Sequence, residues 1–294
     1  MAVIAMATAD LNDLSVWDAS GGSPSISSAG GARTGTNTYR NSTVGGYFQK
    51  FIASASEIYG RLALNTSADY WVRLRNGSTT ITQLTIGLQA LAVYRGIQTG
   101  TLLTQVADTC QTWDCYEFYV KVHSSTGIWQ VKKNGQLLLD ASNLNTGTGT
   151  FDNIMFYTSA NVVHYLDDIL VDDANWPGLG GIEVLRPNGA GTHQDWDDSD
   201  YEKVNADNDS TYIASDAEVS ERVSFTLPAL AGDRKTPKAV GLFTKSRLSG
   251  AGAGTIEPYF DDTPGAQLAL STSLQYTKDY QVAMPTEVGL KVVV

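Results

Sequence analysis

Arginine and aromatic side chains recur together on short, strand-like segments of this chain. In DYWVRLRN, Trp71, Arg73 and Arg75 are spaced two residues apart, so an extended strand would place all three on one face. Tyr94 and Arg95 end a second alternating segment. Aromatic rings combined with guanidinium and amide groups suit sugars, because rings contact the sugar carbons while polar groups bond the hydroxyls. The sequence therefore predicts a glycan-binding or subunit-contact surface on these five residues.

The same residues have a structural interpretation, which stays open at this point. Trp71 would then belong to the core, and the arginines would be outward solubilising groups or contacts to a neighbouring subunit. Tyr39 and Arg40 have the right chemistry to extend the surface under the first interpretation.

A second group of chemistry-bearing residues is an acidic run in the C-terminal half. Four aspartates fall close together, and two more, Asp207 and Asp209, follow downstream. Hard cations take six to eight oxygen ligands, so the run is a candidate calcium site, although it lacks the glycine and glutamate of an EF-hand. The alternative is a solvated acidic loop anchored by Trp196. The candidate ligands are Asp195, Asp197, Asp198 and Asp200.

Catalytic patterns are absent from the sequence. Retaining glycoside hydrolysis needs two carboxylates about 5 Å apart, and no strand-like segment carries such a pair. Glu117 stands alone, and the adjacent Asp167 and Asp168 are expected to point to opposite faces, one of them satisfying backbone groups at a strand bend. The three histidines lack a nucleophile context. We therefore expect no enzyme and no required cofactor, with calcium as the one candidate ion.

Two cysteines, Cys110 and Cys115, close a short loop. Two thiolates without nearby histidines do not form a structural zinc site. A disulfide between them is one alternative, and reduced thiols beside strands are the favoured one, because cytoplasmic proteins seldom keep disulfides.

Bulk composition excludes several classes of function. The chain has 294 residues, a net charge of −11 and 17% charged residues, with 42% hydrophobic residues. Such an acidic chain should repel phosphate backbones, so we expect no nucleic-acid partner. The N-terminus has no basic region before its short apolar run, which predicts no signal peptide and synthesis in a cytoplasm. No window is long and apolar enough for membrane insertion.

The elements that would hold these residues are strands. Segments such as EIYGRLALN, YEFYVKVHS and GIWQVKK alternate apolar and polar residues, and Asn76-Gly77 and Asn134-Gly135 carry hairpin-turn signals. Pro177 and the glycines of NWPGLGG interrupt the pattern. We predict an all-β protein with a sandwich domain at 1–175 and a second, smaller β-sandwich at 176–294.

Several phrases resemble one family. HYLDDILVDD, TWDCYEFYVKVH and GIWQVKKNGQLLLD are similar to segments of concanavalin A-like (laminin G-like) jelly rolls. In the second half, IEVLRPNGAG, DNDSTYIAS, ERVSFTLPAL and the terminal TEVGLKVVV occur in the order found in bacteriophage virion structural proteins with a C-terminal β-domain. The resemblance covers nearly the whole chain, and TKDYQVAMPTEVGL is shorter than the usual approach to the last strand.

That resemblance implies where the protein is located and gives no reaction or ligand for it. It implies a non-enzymatic virion structural protein, tail- or fibre-associated or capsid-decorating, made in the host cytoplasm and located in the virion. The second domain would attach the first to the particle or form a homo-oligomer, and other virion proteins would be the partners. The alternative is a lectin-like adhesion module that binds a host-surface glycan.

Overall fold

The computed structural model describes residues 3–7, 14–110, 112–205, 213–215, 220–229, 240–248, 254–271, 275–281, 285 and 287–293. The chain divides into two compact units, Met1–Glu183 and Val184–Val294. Both are built from antiparallel strands, as the alternating sequence pattern predicts. Among the described residues no helix has the length and apolar character needed to cross a bilayer.

In its described part the first unit has fifteen strands, and one short 3-10 turn, Leu14–Val16, precedes the second of them. The strands are β1 Val3–Ala7, β2 Ala19–Gly21, β3 Ser25–Ser27, β4 Thr38–Asn41, β5 Tyr47–Ala55, β6 Glu57–Thr66, β7 Tyr70–Asn76, β8 Thr79–Ile86, β9 Ala90–Arg95, β10 Thr101–Ala107, β11 Asp114–Lys121, β12 Gly127–Lys133, β13 Gln136–Leu144, β14 Phe151–Thr158 and β15 His164–Asp172.

These strands make two antiparallel sheets. An eight-stranded sheet has the order β13-β12-β11-β6-β15-β4-β3, with β1 also paired to β15, and a seven-stranded sheet has the order β10-β9-β8-β7-β14-β5-β2. The chain passes from one sheet to the other after β1, β2, β4, β5, β6, β10, β13 and β14. Repeated crossing between two antiparallel sheets defines a jelly-roll sandwich, and the first unit has this concanavalin A-like architecture.

The core of the first unit lies between its two sheets. Trp129 of the eight-stranded sheet donates its indole N–H to Thr82 Oγ1 of the seven-stranded sheet at 3.0 Å, and both residues are fully buried. At one end, Trp17 packs against Tyr39 and Phe48 with ring centroids 5.2 and 5.1 Å apart. Each fully buried large apolar side chain contributes about 1.5–3 kcal/mol, so these layers dominate the stability.

Both Asn-Gly signals mark hairpins, which confirms that prediction. Gly77 joins β7 to β8 with φ 53, and Asn134 and Gly135 join β12 to β13 with φ 50 and 82. Two consecutive positive φ angles are characteristic of the type I′ turn, whose twist matches that of paired strands. Asn134 also ties this turn to the neighbouring strand β11, because its Oδ1 accepts a hydrogen bond from Cys115 N at 2.9 Å.

The segment after β15 stays with the first unit, so this unit extends past the boundary expected after residue 175. Arg61 donates to Gly178 O at 3.1 Å, Arg33 donates to Leu179 O at 2.8 Å, and Gly178 N donates to Glu117 Oε1 at 2.5 Å. These bonds hold the segment, which we call the strap (residues 176–183), on the outer face of the eight-stranded sheet. Glycine and proline end the strand, as expected, without ending the unit.

A β-bulge explains why Asp167 and Asp168 do not follow the expected alternation. The register of β15 against β6 shifts between Asp167 and Leu170, and Asp168 has φ 51. Asp167 Oδ2 accepts from Thr34 N at 3.2 Å, and Asp168 Oδ1 accepts from Thr34 Oγ1 at 2.7 Å. Both buried carboxylates therefore reach the same loop residue, so the expectation of opposite faces was wrong.

The described residues of the second unit form eight strands and a helix of one turn. They are β16 Gly189–Gln194, α1 Tyr201–Asn205, β17 Arg222–Thr226, β18 Val240–Ser246, β19 Thr255–Phe260, β20 Thr263–Pro264, β21 Leu268–Ala269, β22 Gln275–Gln281 and β23 Glu287–Val292. One sheet has the order β16-β17-β23-β19-β20, with β21 on β19, and β18 pairs with β22. Val223, Ile256, Phe260 and Val288 are among its buried apolar residues.

Two details of the second half differ from the sequence prediction. Ile182–Leu185, expected as an opening strand, is irregular, because Ile182 N donates to the Asp168 carboxylate at 2.7 Å instead of to a neighbouring strand. Helix α1 was not predicted, and Asp200 stabilises its start by accepting a hydrogen bond from Glu202 N at 3.0 Å. The glycine-alanine run at 249–253 lies outside the described residues.

Candidate functional site

The outward face of the seven-stranded sheet carries the predicted Trp71, Arg73 and Arg75. Val72 and Leu74 between them are fully buried in the sandwich, so strand alternation places the other three on the opposite face. Of the interpretations left open for Trp71, the core one is therefore wrong. We call this surface the arginine face; it comprises the outward side chains Phe51, Trp71, Arg73, Arg75, Gln83, Tyr94, Asn153 and Tyr157.

Strand register brings these residues together from five strands. Arg73 on β7 lies opposite Gln83 on β8, and Gln83 lies opposite Tyr94 on β9. Trp71 lies opposite Tyr157 on β14. Neighbouring strands are about 4.8 Å apart, so these side chains lie within reach of one another across the sheet.

At the centre of the face, Arg73 is held against two aromatic rings. The rings of Trp71 and Tyr157 are stacked, with centroids 5.3 Å apart and an interplanar angle of 2°. The Arg73 guanidinium carbon lies 3.9 Å from the Tyr157 ring centroid and 4.7 Å from that of Trp71. Arg73 Nε donates to Gln83 Oε1 at 2.9 Å. The contacts fix the guanidinium in one position at moderate exposure.

Arg75 is positioned by hydrogen bonds at one end of the face. Its Nη2 donates to Ser78 O at 2.7 Å, and its Nη1 donates to Gln49 Oε1 at 3.4 Å. Its register partner Asn153 is fully buried, and Asn153 in turn lies opposite Phe51 on β5. Phe51 has 54% of its surface exposed, so an uncovered aromatic ring lies on the same row as Arg75.

The electrostatics of the face are positive. Among the described residues neither Arg73 nor Arg75 forms an ion pair with a carboxylate. Burial lowers the pKa of Arg73, the neighbouring Tyr157 hydroxyl partly offsets this, and the charge on Arg75 lowers it further. Both guanidinium groups remain charged at neutral pH, since arginine does not lose its proton in proteins.

The structure separates the remaining predicted sugar-site residues. Tyr94 belongs to the arginine face through its pairing with Gln83. Arg95 is the next residue, so it alternates away from the face, and its Nη2 donates to Thr101 Oγ1 at 3.1 Å in the β9–β10 hairpin. Tyr39 is fully buried in the core, and Arg40 lies on β4 of the other sheet.

Sequence reasoning missed four members of the face, Phe51, Gln83, Asn153 and Tyr157. The segments that contain these residues alternate apolar and polar residues, which predicts strands. The alternation does not show which strands are neighbours, because that depends on the order of strands in the sheet. No local signal marked them, because Gln83 lies in the threonine-rich segment TTITQLTI and Tyr157 lies in FDNIMFYT, which has other polar residues.

In the described part of the chain, the four aspartates of the acidic run do not share a common contact. Asp195 Oδ2 accepts from Arg222 N at 3.1 Å, Asp200 caps α1, and Asp197 is exposed. Asp198 pairs with Lys203, whose hydrogen bond lowers the Asp198 pKa. Within the described residues no three histidine, cysteine or acidic side chains form a group that could hold a metal. Asp207 and Asp209 lie outside the described residues.

A shallow cleft in the second unit is lined by Thr192, His193, Asp261, Asp262 and Glu287. The Glu287 carboxylate accepts hydrogen bonds from Thr192 N at 2.8 Å and from Ser224 Oγ at 2.7 Å. These bonds lower the Glu287 pKa, although partial burial opposes the shift most strongly. Arg222 pairs with Asp262 at 3.2 Å. Within the described residues, neutral donors therefore engage Glu287, and Arg222 engages Asp262.

The other residues with catalytic potential are engaged in the first unit. Glu117 holds the strap, and Asp167 and Asp168 hold the loop at Thr34. Cys110 and Cys115 are free thiols, and both are buried. Burial raises the pKa of Cys110 to about 11 and raises that of Cys115, so both are protonated at neutral pH.

No protein-family model matches this chain, and no curated protein is similar to it in sequence. Solved structures similar in arrangement include carbohydrate-binding module CBM66 from Bacillus subtilis, at 7% identity and TM-score 0.38, with 58% of this chain and 97% of that chain covered. A tetrameric galectin from the ball sponge Cinachyrella sp. matches at 10% identity and TM-score 0.32, covering 42% and 96%. The Emp46p carbohydrate recognition domain, in its metal-free form, matches at 5% identity and TM-score 0.37, covering 55% and 88%. These values transfer no ligand and no residue role, and the fold assignment above rests on the strand order.

Proposed function

We propose that the first unit is a lectin-like module that binds a glycan on the arginine face without catalysing a reaction. The observation that carries this proposal is the central cluster of Trp71, Arg73 and Tyr157, in which a guanidinium is fixed by two rings and by Gln83. Donors that are already fixed lose little conformational entropy when a ligand binds, which favours affinity.

The size and chemistry of the face support the proposal. Phe51 offers an exposed ring for the carbon face of a sugar, and the arginines offer donors for its hydroxyl oxygens. Two strand spacings separate β5 from β7, which places Phe51 about 10 Å from the arginine strand. This distance matches two linked sugar rings rather than one.

A binding experiment on the full-length chain tests the proposal. The protein is screened against a glycan array that contains neutral and acidic oligosaccharides, and hits are measured by calorimetry. We expect Phe51→Ala to weaken binding about tenfold, since a lost ring contact is worth about 1–2 kcal/mol. Phe51 is exposed, so the substitution should leave the melting temperature unchanged.

The matched control is Leu137→Ala on β13 of the other sheet, where Leu137 is 55% exposed. It removes a similar exposed apolar side chain and should not change binding. Absence of binding to every glycan, or equal weakening by both variants, would rule the proposal out.

A second candidate is the structural role in a virion that the sequence resemblance implies. The observation that favours it is a pair of edge strands, β10 and β13, which carry the exposed Leu102 (45%) and Leu137 (55%). Open edges can pair with a second chain. Light scattering tests this: a defined oligomer that Leu102→Lys or Leu137→Lys dissociates supports assembly through these edges, and a monomer that binds sugar opposes it.

A further inference from the structure

We infer that the ligand of the arginine face carries a negatively charged group, a carboxylate or a sulfate, and that Arg73 is its main contact. The inference rests on the proposed function and narrows it to anionic saccharides. Charge and geometry support it separately.

The charge argument starts from the composition of the whole chain. It has 20 lysine and arginine residues against 31 acidic ones, so a cation has many possible partners. Elsewhere such partners are used: Arg33 pairs with Asp168 at 2.7 Å, and Lys133 pairs with both Asp108 and Asp114 at 2.7 and 3.1 Å.

Other described cations, such as Arg40 and Arg95, also form no ion pair, but Arg73 and Arg75 are two such cations side by side. They lie two residues apart on one strand face, and neither pairs with a carboxylate anywhere in the described part of the chain. Two neighbouring cations repel each other, and this repulsion raises the free energy of the unliganded face. An anion bound between them would remove that repulsion, so charge complementarity selects an anionic ligand.

The geometry argument concerns which part of Arg73 a ligand can meet. Its guanidinium carbon lies over the rings of Tyr157 and Trp71, 3.9 and 4.7 Å from their centroids. The guanidinium therefore covers part of the aromatic surface that a neutral sugar would use for ring contacts. Stacking leaves the in-plane N–H groups of a guanidinium available, and their fork matches the two oxygens of a carboxylate.

Trp71 adds a further donor to this positive face. Its indole N–H is buried and has no hydrogen-bond partner among the residues that the structure describes. A buried donor without an acceptor costs about 1–3 kcal/mol, so native structures rarely retain one without a reason. An acceptor oxygen of a ligand would supply the missing partner after a small movement of the ring.

The test compares an acidic oligosaccharide with its neutral ester and adds a sulfated probe. Oligogalacturonate, its methyl ester and a sulfated cello-oligosaccharide are titrated into the full-length protein by calorimetry at about 50 and 200 mM NaCl. We expect the acid to bind at least about tenfold more tightly than the ester, and the advantage to shrink at the higher salt concentration. The sulfated probe separates a general preference for anions from a preference for the carboxylate fork.

Three variants test whether the preference for the acid over the ester depends on Arg73. Arg73→Gln should remove the difference between acid and ester, and Arg73→Lys should retain part of it, because lysine keeps the charge but not the fork. Arg40→Gln, the matched control, makes the same charge change on the other sheet and should behave as the unmodified protein.

Each outcome has a distinct meaning. Equal, salt-independent binding of acid and ester, or binding only of neutral glycans on the array, overturns the anionic inference and leaves the lectin-like proposal standing. Binding of the sulfated probe but not of the uronate supports an anionic site without carboxylate selectivity. No binding of any probe or array glycan overturns both.

Discussion

His164 is the buried titratable residue whose protonation should matter most to folding. It begins β15, is fully buried, and lies with its Nδ1 2.7 Å from Thr66 Oγ1 and its ring 5.2 Å from that of Tyr70. Burial lowers its pKa to about 4, and the Ala160 backbone partly offsets this. The neutral imidazole is therefore the form that the core accepts.

The first prediction concerns acid stability. The unfolded pKa of histidine is about 6.5, so the unfolded chain takes up a proton before the folded one does. Stability is complete above pH 6.5 and falls as the pH drops towards 4, by about 3 kcal/mol at most from this group. Urea unfolding at pH 7 and at pH 4.5 should show a smaller loss in His164→Gln than in the unmodified protein.

His123 provides the control for that experiment, because it is exposed in the β11–β12 connection. His123→Gln should retain the full loss of stability between the two pH values. An equal loss in all three proteins would assign acid sensitivity to other groups, such as the paired carboxylates.

Asp168 carries the second residue-scale prediction. Its side chain is fully buried, pairs with Arg33 at 2.7 Å and accepts hydrogen bonds from Thr34 and from Ile182 N. Removing one partner of a buried ion pair costs about 3–5 kcal/mol. Asp168→Ala should lower the free energy of unfolding by about that amount in urea titrations.

Asp168→Asn should cost less than the alanine variant. Asparagine keeps the shape of the side chain and tolerates the positive φ that the bulge imposes on this position. If both variants lose the same free energy, the charge rather than the shape is what stabilises the bulge.

At the scale of elements, the two Asn-Gly hairpins make a matched pair. A Cβ added at Gly77 would meet nothing within 4 Å, whereas at Gly135 it would lie 3.0 Å from Leu179 Cδ1. Both positions have positive φ, which costs a non-glycine residue about 1–2 kcal/mol. Gly77→Ala should lose about that amount in thermal or urea unfolding. Gly135→Ala should lose more, because the strap residue Leu179 must also move, and an equal loss would show that Leu179 adapts freely.

The strands themselves were predictable, and their neighbours were not. Alternation located β6, β7, β11 and β12, and it placed Trp71, Arg73 and Arg75 on one face correctly. It could not reveal that Tyr157, more than 80 positions further along the chain, would lie beside Trp71. Nor could it anticipate the bulge at Asp168, since a single extra residue in β15 reverses the facing of every side chain after it.

At the scale of the whole chain, the end of the first unit at Glu183 predicts how shortened fragments should differ in stability. The strap supplies the partners of Arg33, Arg61 and Glu117, although Pro177 and its glycines suggested a linker. A fragment ending at Glu183 should therefore melt at a higher temperature than one ending at Asp173, whose buried Glu117 and Arg61 would lose hydrogen bonds. Calorimetry on both fragments measures this. Identical melting temperatures would mean that the strap adds nothing to the first unit.

Composition predicted the all-β class because strand and turn formers dominate the chain. It could not predict where the first unit ends. Glycine and proline end a strand both when the following residues pack against the same unit and when they form a linker. The hydrogen bonds of the strap to Arg33, Arg61 and Asp168 decide between these two outcomes. The bonds to Arg33 and Arg61 join residues more than 100 positions apart in the sequence, whereas the bond between Asp168 and Ile182 is local.

Chemical labelling of the two buried thiols can report the opening of the first unit. Cys110 and Cys115 are the chain's two cysteines, and both lie in the first unit. The thiolate attacks an alkylating reagent, and a pKa of about 11 for Cys110 keeps that form scarce while the sandwich is closed. The rate of labelling therefore reports how often the first sandwich opens, while opening of the second unit leaves no mark. A time series of mass spectra would therefore follow the opening of the first unit alone within the intact chain.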